Sequence, residues 1–131
     1  MRSQYTPYIV FSAHKNGLEH HQNMERNICA TYDLMINKVY FREVRGIYKG
    51  TEEVSYMLHY TPENLELVKK LCVEYEQECF LTITNEGRGY LHYLNDNFPS
   101  TPLGFIKVTD DKPKTGDYSY VLDSKQYFTF V

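Results

Sequence analysis

Three sets of residues in this chain have the types and spacing for chemistry. His20 and His21 with Glu25 put imidazoles and a carboxylate about one helical turn apart, as a shared metal ion would need. Nothing completes that set at motif spacing, and His21 with Glu25 at i,i+4 is explained equally well as a pair on a solvated helix face. The expectation is no metal. Ser12, His59 and an acid could be assembled into a hydrolase triad on paper, but no G-x-S-x-G elbow carries the serine. The third set is Glu52-Glu53, which follows a Lys49-Gly50-Thr51 turn with Tyr48 just across it. Adjacent side chains on a strand point to opposite faces, so one acid can look into a cleft while the other meets solvent. The alternative is a pair of edge charges that discourages aggregation. A one-residue slip in register exchanges the two, so the sequence leaves open which of Glu52 and Glu53 faces a cleft.

Two further features bear on function. Glu74-Tyr75-Glu76-Gln77-Glu78 brings three acids to the end of a helical segment, where the dipole slightly disfavours them. Cys29, Cys72 and Cys79 lie in apolar patterns without C-x-x-C spacing, and read as reduced core cysteines rather than a disulfide framework or a thiolate metal site. Neither a dinucleotide fingerprint nor a P-loop is present.

The elements that must position these residues follow from periodicity. Tyr8 to Ala13 is a β-branched and aromatic run that predicts a buried strand. Leu18 to Ile36 lacks Gly and Pro, and Met24, Ile28, Thr31 and Met35 recur at helical spacing as its inward face. Val39 to Tyr48 and Glu53 to Tyr60 read as a hairpin. Thr61-Pro62-Glu63 combines an N-cap, a proline at the first helical position and an acid at the positive dipole end, with Leu65, Val68, Leu71 or Cys72, and Tyr75 as the buried stripe. Cys79 to Thr84 and Arg88 to Leu94 flank an Asn85-Glu86-Gly87 turn.

That order predicts an α+β fold. Its core is a ferredoxin-like split β-α-β-β-α-β antiparallel sheet over residues 8–94, with two helices on one face. Residues 95–131, punctuated by Pro99, Pro102, Pro113 and Gly116, read as an irregular β-rich extension with strand-like runs at 105–108, 118–122 and 127–131. The uncovered sheet face must be covered by that extension or by a second subunit.

Bulk properties narrow the function. A chain of 131 residues is the size of a single domain, with ordinary globular values of 42% hydrophobic and 24% charged residues. No run approaches the about 18 apolar residues of a membrane helix, and no secretory leader is evident, so a soluble cytoplasmic protein is expected. Seventeen acids against 14 bases, spread evenly, leave no basic stripe for nucleic acid. Thirteen tyrosines and no tryptophan supply surfaces with an apolar face and a polar tip.

Five blocks, in order, resemble the small phage-encoded S-adenosylmethionine lyases, formerly described as hydrolases. Ser12-Ala13 closes a first strand like the family's, and Asn23-Met24-Glu25-Arg26 matches its Asn-Met-x-Arg. Gly46-Ile47-Tyr48 matches a Gly-x-Tyr, Glu52-Glu53 a Glu-Glu pair, and Glu76-Gln77-Glu78-Cys79 a Glu-Gln-acid-Cys before an apolar strand. The blocks span residues 8–94; the segments on either side of Tyr48 are shorter than in the family, and the tail has no matching block. The resemblance implies a homotrimer with sites between subunits and no cofactor. It further implies cleavage of S-adenosylmethionine to 5′-methylthioadenosine and homoserine lactone, serving antirestriction in the cytoplasm of a phage's host. Carried over by position, Glu53 would orient the substrate's ammonium, and Tyr48 would set its hydroxyl beside the methionine moiety. Glu52 belongs to the same substrate-binding set, as do Glu76 and Gln77 through polar contacts to ribose or adenine and Ser12 and Ala13 at the strand end. Asn23 and Arg26 are left open between substrate contact and a helix-capping or subunit-interface role. The alternative from another class is a non-catalytic oligomeric module binding a nucleotide-type ligand or a host protein through its tyrosine-rich sheet face.

Overall fold

Alternation along the first strand governs the architecture of the computed structural model, which describes residues 5–48, 50–114 and 116–131, with the Tyr48 side chain outside that set. The elements are β1 (Tyr8–Ser12), α1 (His20–Ile36), β2 (Phe41–Tyr48), β3 (Thr51–His59), α2 (Pro62–Glu74), β4 (Cys79–Ile83), β5 (Arg88–Tyr93), β6 (Thr101–Thr109), β7 (Tyr118–Val121) and β8 (Gln126–Phe130). In β1, Ile9 and Phe11 face outward to the helices and join Tyr56, Leu58, Ala30, Leu34, Val68, Leu71 and Cys72 in one core. Val10, between them, faces the other way and joins Val44, Met57, Ile83, Val121 and Phe128 in a second core. A strand apolar on both faces demands cover on both sides.

The cover on the inner side corrects the expected fold class. The sheet is not an open, ferredoxin-like α+β split sheet with an irregular appendage; it is a closed antiparallel barrel of eight strands in the order β1-β3-β2-β7-β8-β6-β5-β4, with two short helices outside. Residues 95–131 supply the closing strands: β5 hands on to β6, β6 to β8, β8 to β7, and β7 pairs with β2 from Val44↔Val121 to Ile47↔Tyr118. Closure removes both sheet edges and gives the second core its walls. Two glycines let the wall bend where β5 meets β6. A Cβ on Gly89 would collide with the Phe130 ring, and Gly104 adopts φ +100 against the Val131 carbonyl.

The helix starts agree with local chemistry. Thr61 accepts from the Asn64 N–H at 3.0 Å, with Pro62 opening α2, and Val68, Leu71, Cys72 and Tyr75 are buried as the spacing requires. The face of α1 is a second correction: Asn23, Ala30 and Leu34 are the buried positions, whereas Met24, Ile28 and Met35 stand 49%, 66% and 64% exposed. Leu34 and the small Ala30 let α1 approach the sheet closely, and the larger stripe is turned toward a groove. Cys72 is buried and its thiol is pushed up to about 12 by desolvation, while Cys29 is exposed rather than a core residue. Among the described residues no helix is long and apolar enough to cross a membrane.

His92 ties the β5–β6 connection to β4. Its Nε2 lies 2.7 Å from the Thr82 hydroxyl and its Nδ1 2.8 Å from that of Ser100, with Phe80 stacked at 5.2 Å. Burial, followed by Lys69, lowers its pKa from 6.5, so the unfolded chain binds the proton more readily than the native one. Stability is therefore fully present above pH 6.5 and falls as acid drives the pH below that value toward the folded pKa. A thermal-denaturation series should show this acid slope in the wild type and a flatter one in His92→Gln. Equal slopes would exclude His92 as its source.

Candidate active site

The loop between β1 and α1 is held by side chains rather than by secondary structure. Arg26 Nε donates to the Ala13 carbonyl at 2.7 Å, its Nη2 donates to the Tyr75 carbonyl, and its guanidinium lies 5.6 Å from the Tyr75 ring centre. Gln77 Nε2 donates to the His14 carbonyl at 2.7 Å. Asn23 accepts from the Lys15 N–H at 2.9 Å and returns a bond to its carbonyl at 3.1 Å. Ser12 Oγ donates to the Val54 carbonyl at 2.8 Å and accepts from the His14 N–H at 2.9 Å. Glu76, at left-handed φ 59, meets Lys15 Nζ at 2.9 Å, and that hydrogen bond and charge hold its carboxyl below the usual range. Ser12, Ala13, Glu76 and Gln77, together with Asn23 and Arg26, thus converge on one loop as its supports.

The loop so fixed forms one end of a groove of about 1200 Å³ between α1 and the outer face of β2 and β3. One wall is the exposed α1 stripe of Met24, Ile28, Tyr32 and Met35. The opposite wall is charged. Arg45 donates to Glu43 through Nε at 3.1 Å and Nη2 at 3.0 Å, and its Nη1 lies 3.4 Å from Glu52 Oε1. In the register Ile47↔Glu52 and Arg45↔Val54, Glu52 takes the outer face with Glu43 and Arg45. The question left open by the sequence is thereby answered for this groove: Glu52 lines it. At its floor the Tyr56 hydroxyl donates to the Asn27 carbonyl at 3.0 Å and receives Thr31 Oγ1 at 3.4 Å, while Asn27 Oδ1 is buried without a partner among the described residues. An unpaired buried acceptor costs about 1–3 kcal/mol, which marks the floor as a place where a bound donor would be favoured.

Glu53 stands on the other face of β3, half-buried, opposite Gly46 and on the side of Ser55 and Met57. Tyr48 ends β2 opposite Thr51, and its side chain lies outside the described residues. One chain therefore does not bring Glu52 and Glu53 to a common face. His21 pairs with Glu19 at 3.2 Å, not with Glu25, and no group of three or more metal-ligand side chains occurs among the described residues. Glu43, Arg45 and Asn27 were missed from sequence. The alternation Glu43-Val44-Arg45 opposite Val54 and Tyr56 was the available signal, since it puts both charges on one strand face.

The groove sets an apolar wall against two carboxylates and one guanidinium, a net negative charge of one. The chain matches the model of the S-adenosylmethionine lyase family over residues 9–131. It belongs to that family. The match continues through residues 95–131, where the sequence blocks stopped. A search of curated proteins finds no match. Family membership indicates lyase activity with S-adenosylmethionine as substrate.

Replacing Arg26 should loosen the whole site without touching the charged wall. Arg26→Ala removes the side-chain donor to the Ala13 carbonyl, leaves the Tyr75 carbonyl with Gln77 Nε2 alone, and should lower unfolding stability in urea by about 1–3 kcal/mol. Limited proteolysis should then cut within residues 13–18. Arg26→Lys should rescue only in part, because an ammonium cannot reproduce the two-way fork.

Proposed function

We propose that this chain cleaves S-adenosylmethionine to 5′-methylthioadenosine and homoserine lactone. The substrate's carboxylate oxygen attacks its own γ-carbon, the carbon–sulfur bond breaks, and its electron pair neutralises the sulfonium as a thioether. No external nucleophile or added cofactor enters the step. The protein's task is to fold the methionine chain into attack geometry and exclude water, for which orientation alone can be worth about 7–11 kcal/mol.

The single observation that carries this reading is the groove, where Glu43 and Glu52 flank Arg45 opposite Met24, Ile28, Tyr32 and Met35. Carboxylates favour the sulfonium and ammonium, the guanidinium favours the carboxylate, and the apolar wall suits the thioether and purine faces. Glu53 and Tyr48 remain the residues expected beside the reacting atoms. Both belong to the end of the β2–β3 hairpin, and Glu53 is on the strand face opposite to Glu52 and its groove, so in a homotrimer a neighbour's hairpin would complete the site between subunits. The loop supports Ser12, Ala13, Glu76 and Gln77 then act by positioning. In a phage-infected cell the activity would strip the host cytoplasm of its methyl donor and so serve antirestriction.

Incubation with S-adenosylmethionine followed by chromatography should yield methylthioadenosine and homoserine lactone; recovery of intact ligand from saturated protein would identify a binder instead. Glu53→Gln should lower kcat about a hundredfold with assembly preserved. Glu52→Gln should act mainly on KM, raising it about tenfold. Co-assembly of Glu53→Gln chains with Glu52→Lys chains should raise activity well above that of either variant alone. If mixing restores nothing, the site is not shared between chains.

A further inference from the structure

The barrel has a second cavity that the proposed lyase site does not use. It occupies about 960 Å³ at one mouth of the barrel, within the usual range of small-molecule sites, about 300–1,000 Å³. Its floor is apolar. Leu81 and Phe130 pack against the inner core, Phe128 belongs to it, and Leu91 and Leu103 extend the same surface. Barrels of eight strands are wide enough to hold one small ligand at such a mouth.

The rim has a definite charge. Lys107, Lys112 and Lys114 line it beside Asp111 and Asp117. Among the described residues none of the three lysines is in an ion pair; Lys112 instead lies 5.8 Å from the Tyr118 ring centre. Elsewhere the chain pairs some of its cations, as Arg42 with Asp123 at 2.6 Å and Lys15 with Glu76 at 2.9 Å. Three ammonium groups against two carboxylates, over a leucine and phenylalanine floor and in a chain of net charge −3, give the rim a local positive excess whose complement is an anion with an apolar body. Glu52 and Glu53 do not line this cavity, and the groove under α1 shares no residue with it.

We infer that the barrel mouth is a binding site for a medium-chain alkyl carboxylate, its chain laid on Leu81, Leu91, Leu103 and Phe130 and its head group held by the lysine rim. The site is independent of the lyase reading, since it draws on no residue of that groove.

Titration calorimetry with sodium dodecanoate, kept below its micelle concentration, tests it on the full chain. One molecule should bind per chain, and added salt should weaken it, because the rim is exposed and screened. Lys112→Glu/Lys114→Glu, both on the surface and far from the core, should weaken binding about tenfold or more. Leu103→Trp should weaken it by filling the floor; circular dichroism would confirm that each variant is folded. Dodecanol should bind less tightly than dodecanoate. Absence of saturable binding, indifference to the double charge reversal, or equal affinity for the alcohol would each overturn the assignment. S-adenosylmethionine turnover serves as a separate readout, and failure of the lyase assay leaves the dodecanoate result unaffected.

Discussion

The contact on which the site depends most is the guanidinium of Arg26 between two backbone carbonyls. The segment from Ala13 to Gly17 makes no ladder hydrogen bonds of its own, and a buried carbonyl without a donor is costly. Arg26 reaches from α1 to satisfy Ala13 at the end of β1 and Tyr75 at the end of α2, thereby locking three elements with one planar group. Gln77 and Asn23 satisfy His14 and Lys15 from either side. A lysine could neutralise charge there but could not hold two carbonyls at fixed angles. With the loop set, α1 has a fixed end, and the groove between α1 and the sheet has a fixed width.

This explains how much of the site was legible from sequence. Four of the five motif blocks were carried over from the family resemblance as substrate contacts, and the block holding Asn23 and Arg26 was left between a structural and a substrate role. Ser12, Glu76 and Gln77 direct hydrogen bonds at the loop, and Ala13 within it accepts one from Arg26. Polar side chains that satisfy backbone look identical in sequence to those that hold a ligand. The Glu52-Glu53 ambiguity had a different origin: strand period fixes that the two point apart, but only the pairing Ile47↔Glu52 with Gly46↔Glu53 says which shares a face with Arg45.

The fold was legible up to β5 in its elements and then failed in its closure. Hairpins and helix caps are local, so turns and N-caps announce them. The pairing of β7 with β2 joins residues 71 to 77 positions apart, and no local signal in a Pro- and Gly-punctuated tail specifies it. A physical clue existed: Val10, Val44 and Met57 are apolar on the face away from the helices, and that face must be dry. The inward face of α1 was misread for a related reason. Periodicity selects the largest apolar stripe, Met24 to Met35, whereas close packing on a sheet selects the small and compact residues Ala30 and Leu34.

The charged wall then has to be explained by something other than folding. Arg45 is 46% exposed, Glu52 60% and Glu43 34%, and ion pairs so open to solvent contribute at most about 1 kcal/mol each. Two acids on one base leave a surplus negative charge facing an apolar helix stripe, an arrangement that contributes little to the stability of the isolated chain. A cation with an apolar body lying between the stripe and the carboxylates would bury the one and neutralise the other. The contact gains further when a second surface removes the remaining water, because the same charges interact more strongly as the local dielectric falls. The features that stabilise the empty chain least are therefore the ones a sulfonium substrate would use most.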